Sequence, residues 1–285
     1  FVPPDEFRHY FGLFPALCQS VKEGMVSLAI DTFLANGGIA GQSFPHVATH
    51  FLPRDQDDKF FHFLFKKGKS PTPEQIQLLT QNYLAMMNNY LAKAALPWHK
   101  GPGTMPLYLQ TIAKQSIILY EDEKTLCVLP MKNAAPGHVE VYSKTEEKDI
   151  GKLTADDAVH LFLAASFATS LFYEGLKAPG SNIILKSGKT DDNPDGRLVI
   201  HVLPRWQDDP LQGMLWQPKQ PSYNLDDIQK RIADRTWKIS YKPKEAPKPI
   251  TPPAVVKMGS AEGAPSAHDS KEEIKVGKEI LKRLG

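Results

Sequence analysis

The sequence predicts an α+β fold made of two similar units, each an antiparallel sheet with helices packed on it. Three observations lead to this. The stretches "HFLPRDQDD" (50–58) and "HVLPRWQDD" (201–209) are nearly the same nine residues, 151 positions apart. The likeness extends outward from both copies at that offset, and a repeat sets the architecture before any local feature does. Residues 116–144, "SIILYEDEKTLCVLPMKNAAPGHVEVYSK", alternate apolar and polar side chains around turn signals, which predicts two or three antiparallel strands.

Taken in chain order, "PDEFRHYFGLFPALCQSVKEG" (4–24) lies over "TADDAVHLFLAASFATSLFYEG" (154–175). Each begins with acids and continues with apolar residues at helical spacing to Gly24 or Gly175. Acids suit the positive end of a helix, and glycine suits the left-handed residue just past its end. One helix stopping at each glycine is therefore expected. "VSLAIDTFLANGG" (26–38) and "SNIILKSGK" (181–189) read as apolar strands running into turns, and each nonapeptide as the exit of a second strand. "FFHFLFKKGK" faces "LQGMLWQPKQ" as a further short strand. "PEQIQLLTQNYLAMM" faces "LDDIQKRIADRTWK" as a closing helix. Only the second copy is preceded by the 116–144 strands, so the offset predicts about 35 further residues upstream of Phe1.

Residues 242–269 are rich in Pro, Ala, Lys and Ser and read as an extended linker. Then Ser270 and Glu273 form a capping box, and Ile274, Leu281 and Leu284 share one helical face with Ile280 beside it. Such a helix either packs back on its own domains or docks on a partner. The expected division is 1–95 (first domain, incomplete at its start), 96–106 (linker), 107–241 (second domain), 242–269 (linker) and 270–285 (amphipathic helix).

With 34 basic and 32 acidic residues, the net charge of +2 does not point to a polyanionic partner. The Lys-rich "KKGK" (66–69) leaves a ribonucleoprotein partner open. Cys18 and Cys127 are in no metal spacing and read as core residues of a cytoplasmic protein. No uninterrupted apolar run reaches the length of a membrane span.

"NGGIAGQSFPHVATHFLPR" (36–54) resembles the signature of the histidine triad (HIT) family: an Asn-Gly turn, Gly-Gln-Ser/Thr, His-x-His-x-His and Pro-Arg. The "AAPGH" of the 120–144 segment resembles the family's opening strands. The resemblance covers residues 1 to about 84 and about 107 to 240. It implies an α+β fold whose units pair into one continuous sheet, here a pseudo-dimer within the chain. It also implies cleavage of nucleoside phosphate derivatives, with the middle histidine attacking the α-phosphate and a purine nucleotide as ligand. Alternation along a strand puts all three rings on one face.

Mapped residue by residue, His46 and His50 hold the outer positions and Ala48 stands where the nucleophile belongs. A methyl group has no lone pair for a covalent step. Asn36, Gly41, Gln42 and Ser43 match the turn and phosphate-contact positions, and Gly37 and Gly41 allow backbone N–H groups to approach an anion. In the second copy Arg197 and Val199 replace the first two histidines, and only His201 remains. Asp192, Asn193 and Pro194 stand at Gly-Gln-Ser/Thr, and Pro130 where the family has its ribose-binding Asp. Asp191 and Asp192 would repel a phosphate, offset in part by Lys189 and Arg197. A weaker second site is expected at Ser187, Arg197 and His201.

Blander readings stand beside these. His46 also fits a strand residue with no ligand, and His50 and His201 fit hydrogen-bonded structural histidines. Asp57, Asp58, Asp208 and Asp209 read as solvated turns rather than a metal site. His138 reads as structural, and His9, His62, His99 and His160 show no constellation. Ser43 and Thr49 are the remaining candidate nucleophiles, with Thr49 expected on the opposite face from the histidines. The expectation is thus a catalytically impaired HIT-like protein acting as a nucleotide-sensing or partner-binding module, without metal or cofactor. One alternative is an active nucleotidyl hydrolase or transferase using His46 and His50. Another is a scaffold subunit that meets a protein or ribonucleoprotein partner through its tail.

Overall fold

The computed structural model describes residues 2–58, 72–93, 101–130, 133–209, 211, 220–236 and 239. Seven strands form a single sheet: β1 (Ala29–Asn36), β2 (Thr49–Arg54), β3 (Ile117–Glu121), β4 (Thr125–Leu129), β5 (Val139–Ser143), β6 (Gly180–Ser187) and β7 (Val199–Arg205). Their order is β2-β1-β6-β7-β5-β4-β3, and every neighbouring pair is antiparallel. The 116–144 segment supplies three strands, β3 to β5. By contacts the chain divides into Phe1–Ser240 and Tyr241–Gly285. The linker and helix expected over 242–285, and the short strand expected over 60–69, lie outside the described residues.

Strand alternation sorts side chains onto two faces. Ile30 and Leu34 of β1, Ile183 and Leu185 of β6, and Ile200 and Val202 of β7 belong to the main core. That core is closed by α1 (Pro4–Gly12), α2 (Phe14–Met25), α3 (Pro73–Lys93) and α5 (Ala155–Leu176). Phe33, Ile184 and Leu203 point the other way, with Ala134, Ala135 and Leu211 over them. A helix not expected from the sequence, α4 (Leu107–Gln115), covers Val199, Leu126 and Val128 on that same face through Leu109.

The pairing of β1 with β2 and that of β6 with β7 coincide at the offset of 151. Ala29 pairs with Arg54 as Gly180 does with Arg205, and Phe33 with His50 as Ile184 does with His201. Where β1 meets β6, the Phe33–Ile184 pair maps onto itself under the same offset. The closing helices cross over. α3 packs on α5, with Tyr83 Oη donating to Ala164 O at 2.5 Å, while α6 (Leu225–Ala233) packs on α2.

The helix boundaries correct the sequence reading. The stretch 4–24 is two helices, broken at Leu13 where Pro15 starts a new first turn. Gly24 and Gly175 lie inside α2 and α5, and the left-handed residues are Val26 and Lys177. Gly24 serves close packing instead, since a Cβ there would meet Ile232 Cγ1 at 2.8 Å and Ile232 Cα at 3.2 Å. α5 is long and apolar enough, by length and composition alone, to cross a membrane. Here it is the central core helix, capped by Thr154 and buried along most of one side.

Asp57 and Asp208 are exposed turn residues, as expected, but Asp58 and Asp209 are not solvated. Arg54 is fully buried, donating from Nε to Asp58 at 2.7 Å and from a terminal nitrogen to Asp31 at 2.6 Å. Arg205 repeats this with Asp209 and Asn182, both at 2.6 Å. Each Asp four residues on folds the chain back over its arginine, so the repeated letters encode a buried charge clamp at the strand exit.

Candidate active site

The face opposite the main core carries the titratable groups. Alternation on β2 puts Ala48, His50 and Leu52 there, while Thr49 turns toward α1 and shares a 2.8 Å hydrogen bond with Tyr10, as expected. His46 and His50 are exposed. His50 lies 6.3 Å from Phe33, ring centre to ring centre. Ahead of β2 the Gly-rich turn closes on itself. Gly37 and Gly41 both have positive φ, and Gly37 N–H donates to Gln42 Oε1 at 2.7 Å. Gln42 Nε2 in turn donates to His46 O at 3.1 Å, so one amide ties the cradle to the histidine strand. Asn36 donates to Ser181 Oγ at 3.4 Å, reaching toward β6, and Ser43 is exposed beside the turn.

The residues expected for the second site part company. Ser187 is buried, bonded to Ile150 N–H and Lys148 O, and belongs to the core. Arg197 pairs with Asp195 at the surface. His201 is drawn into a cluster that the sequence did not indicate. Its Nδ1 lies 3.2 Å from His138 Nε2 and 3.4 Å from Glu140 Oε1. One ligand atom each from His138, Glu140 and His201 falls within 4.8 Å of the other two. Lys186 stands on the same face. Asp192, expected only to repel phosphate, is buried and paired with Lys186 and Arg54, each at 3.5 Å.

This cluster overturns the expectation that chemistry is lost with the histidines missing at Ala48 and Val199. An imidazole absent from one strand is supplied by another: His138 comes from the Pro136-Gly137 turn leading into β5, not from the strand that carries His201. Alternation along a single strand could not reveal that.

The hydrogen bonds fix the proton positions. Ala134 N–H donates to His138 Nδ1 at 3.2 Å, so the proton of the neutral ring is on Nε2. His138 Nε2–H therefore donates to His201 Nδ1, and His201 carries its own proton on Nε2. Burial pushes His138 down to about 3 and His201 well below its ordinary value, with Lys186 adding to both. Both rings are thus uncharged near neutral pH. Burial raises the Glu140 carboxyl, and Tyr142 Oη, donating to it at 2.6 Å, offsets part of the effect. The three side chains have metal-ligand chemistry, but His138 Nδ1 holds a backbone N–H and its Nε2 a proton. In this arrangement the ring offers a metal no lone pair. The cluster is built to place a neutral N–H donor beside a carboxyl of raised pKa, a pattern of catalytic sites.

His50, Phe33, Ile184, His201 and Glu140 lie in one row across five strands. His50 and His201 are three strand spacings apart, roughly 14 Å, on either side of the Phe33–Ile184 pair.

A second buried dyad also escaped the sequence reading. His160 of α5 lies 2.6 Å from Asp122, which accepts Tyr120 Oη at 2.8 Å and the N–H groups of Lys124 and Thr125. It faces the main core and ties α5 to the β3–β4 turn.

No family model matches the chain. A bis(5′-adenosyl)-triphosphatase from Dictyostelium discoideum is 27% identical over 94 residues, which are 33% of this chain and 63% of that protein, just under two thirds of its length. The Protein hit of Bacillus subtilis is 23% identical over 111 residues, 39% of this chain and 77% of that one. A HIT family protein from Bacillus anthracis aligns in structure over 47% of this chain and 96% of its own, with 21% identity and a TM-score of 0.39. In sequence the chain is thus similar to these two proteins, over 33% and 39% of its length.

Proposed function

We propose that the protein binds a nucleoside phosphate derivative on the open face of its sheet and cleaves it as a nucleotidyl hydrolase or transferase. The observation that carries this reading is the His138–His201–Glu140 cluster beside Lys186. In it, His201 Nε2–H polarises a phosphoryl oxygen as an uncharged donor, and Lys186 supplies positive charge to the same region. Glu140, with its raised carboxyl, is the acid–base group for the attacking or leaving atom. His138 touches no substrate and acts by holding the tautomer of His201. The Gly-rich turn with Asn36, Gly41, Gln42 and Ser43, together with His46 and His50, holds the nucleotide in the other half of the sheet.

The same reading takes the chain as two HIT-like units, 1–95 and 107–241, paired as a pseudo-dimer. The coincidence of the two hairpins at an offset of 151 and the exchanged closing helices support it. Two buried thiols support a cytoplasmic setting.

The test is release of AMP from an adenosine phosphoramidate and from a dinucleoside polyphosphate. We expect turnover that His201→Ala abolishes and Glu140→Gln lowers by about 100-fold or more. His138→Phe should lower turnover and also move the His201 proton between ring nitrogens, visible in its nitrogen-15 shifts. Failure to release AMP from either substrate, together with no calorimetric binding of AMP, ADP or GMP, would overturn the proposal.

A further inference from the structure

On the helix side of the sheet, α1, α5 and the end of β1 line a half-open cavity of about 840 Å³. This is the volume of a small-molecule site. It abuts the proposed nucleotide cradle, sharing Asn36 and Gln42 with it, while none of His46, His50, His138 or His201 lines it. Its floor is apolar, from Leu34, Ile183 and Phe11, and its walls carry the rings of Tyr10, Phe167 and Tyr173.

The charged groups of this cavity share one sign, and Asn36 and Gln42 add neutral amides. Glu6 and Glu174 line it, and among the described residues no lysine, arginine or histidine does. Three hydroxyls of α5 also line it, and each has already given its proton to the helix backbone. Ser166 Oγ donates to Leu163 O at 2.8 Å, Thr169 Oγ1 to Ser166 O at 2.7 Å, and Ser170 Oγ to Ser166 O at 3.3 Å. Toward the cavity these oxygens offer lone pairs. Carboxylates, hydroxyl lone pairs and aromatic faces all favour a cation that donates hydrogen bonds. A nucleotide phosphate is disfavoured by the same groups.

The geometry points to a second ligand site that binds a small organic ammonium with an aromatic or alkyl body. The body lies on Leu34, Ile183 and the rings, and the ammonium faces Glu174 and the α5 hydroxyls. Gln42 forms part of the wall, and its amide joins Gly37 to His46. The nucleotide cradle therefore reports occupancy.

The test compares three probes with the same phenethyl body and different heads on the full chain: 2-phenylethylammonium, 2-phenylethanol and 3-phenylpropanoate. Calorimetry should find the ammonium bound, the alcohol weaker by about tenfold, and the carboxylate not bound. Glu174→Gln, at an exposed helix position, should weaken the ammonium by about tenfold and leave the alcohol unchanged. Bound ammonium should also shift the His46 ring signals. Equal affinity for all three heads, no binding of the ammonium at millimolar concentration, or indifference to Glu174→Gln would each overturn the proposal.

Discussion

Asp31→Asn should make the protein more resistant to alkaline loss of stability. Asp31 is 1% exposed, and burial pushes its carboxyl from 3.8 up to about 7. Arg54, only 2.6 Å away, pulls in the opposite direction. Burial wins because Asp31, Asp58 and Asp192 crowd around two buried cations, Arg54 and Lys186, and one carboxyl is in excess. The folded state therefore holds the Asp31 proton more tightly than the unfolded chain does. Stability is full below about pH 4 and falls as pH rises to about 7. A difference of about three pH units corresponds to about 4 kcal/mol across that window. Asparagine removes this titration and keeps the acceptor, as Asn182 already does for Arg205 at 2.6 Å. Urea denaturation of both proteins at pH 4.5 and pH 8 measures the effect. The variant should gain several kcal/mol on the wild type between the two pH values. Equal pH slopes, or a variant that loses ground at pH 8, would refute the account and identify Asp31 as an ionised partner of Arg54.

Asp122→Ala should cost about 1–3 kcal/mol at neutral pH by removing the acceptor bonded to His160 Nε2 and Tyr120 Oη. Desolvation raises the Asp122 carboxyl, but its hydrogen bonds from His160, Tyr120 and Lys124 outweigh that and hold it below the usual range. This contribution is present above about pH 4 and is lost as pH falls through the lowered value. The gap between variant and wild type should close in acid, as followed by urea midpoints. Gly24→Ala should destabilise by about 1–3 kcal/mol despite alanine's better helix propensity, because its Cβ would press on Ile232. A double-mutant cycle with Ile232→Ala should recover part of the loss.

The offset of 151 was legible because it rests on letters and spacing, and the same offset relates the registers of β1 with β2 and of β6 with β7. The apolar runs between turn signals over 116–144 marked β3 to β5, and β4 is buried on both faces because α4 covers Leu126 and Val128. The helix ends were misplaced because glycine has two uses, and at Gly24 it admits Ile232 rather than a left-handed turn. The α4 helix went unread. Its nine residues are too short for propensity to decide, and Leu109 is buried by tertiary contact. The candidate site was half legible. His46, His50 and their Gly-rich turn form one local motif, whereas His138 and His201 are 63 residues apart and no pattern joins them.

By itself the sequence determined the strands, their faces and the near-identical nonapeptides at an offset of 151, because each depends on neighbours a few residues away. Tertiary structure decided the rest. It brought His138 from a turn to His201, assigned their protons through Ala134 N–H, and buried both rings so that they stay neutral. It also turned Asp58 and Asp209 into partners of buried arginines. Protonation and pairing depend on burial and on through-space distance, and neither quantity is written in the order of the residues.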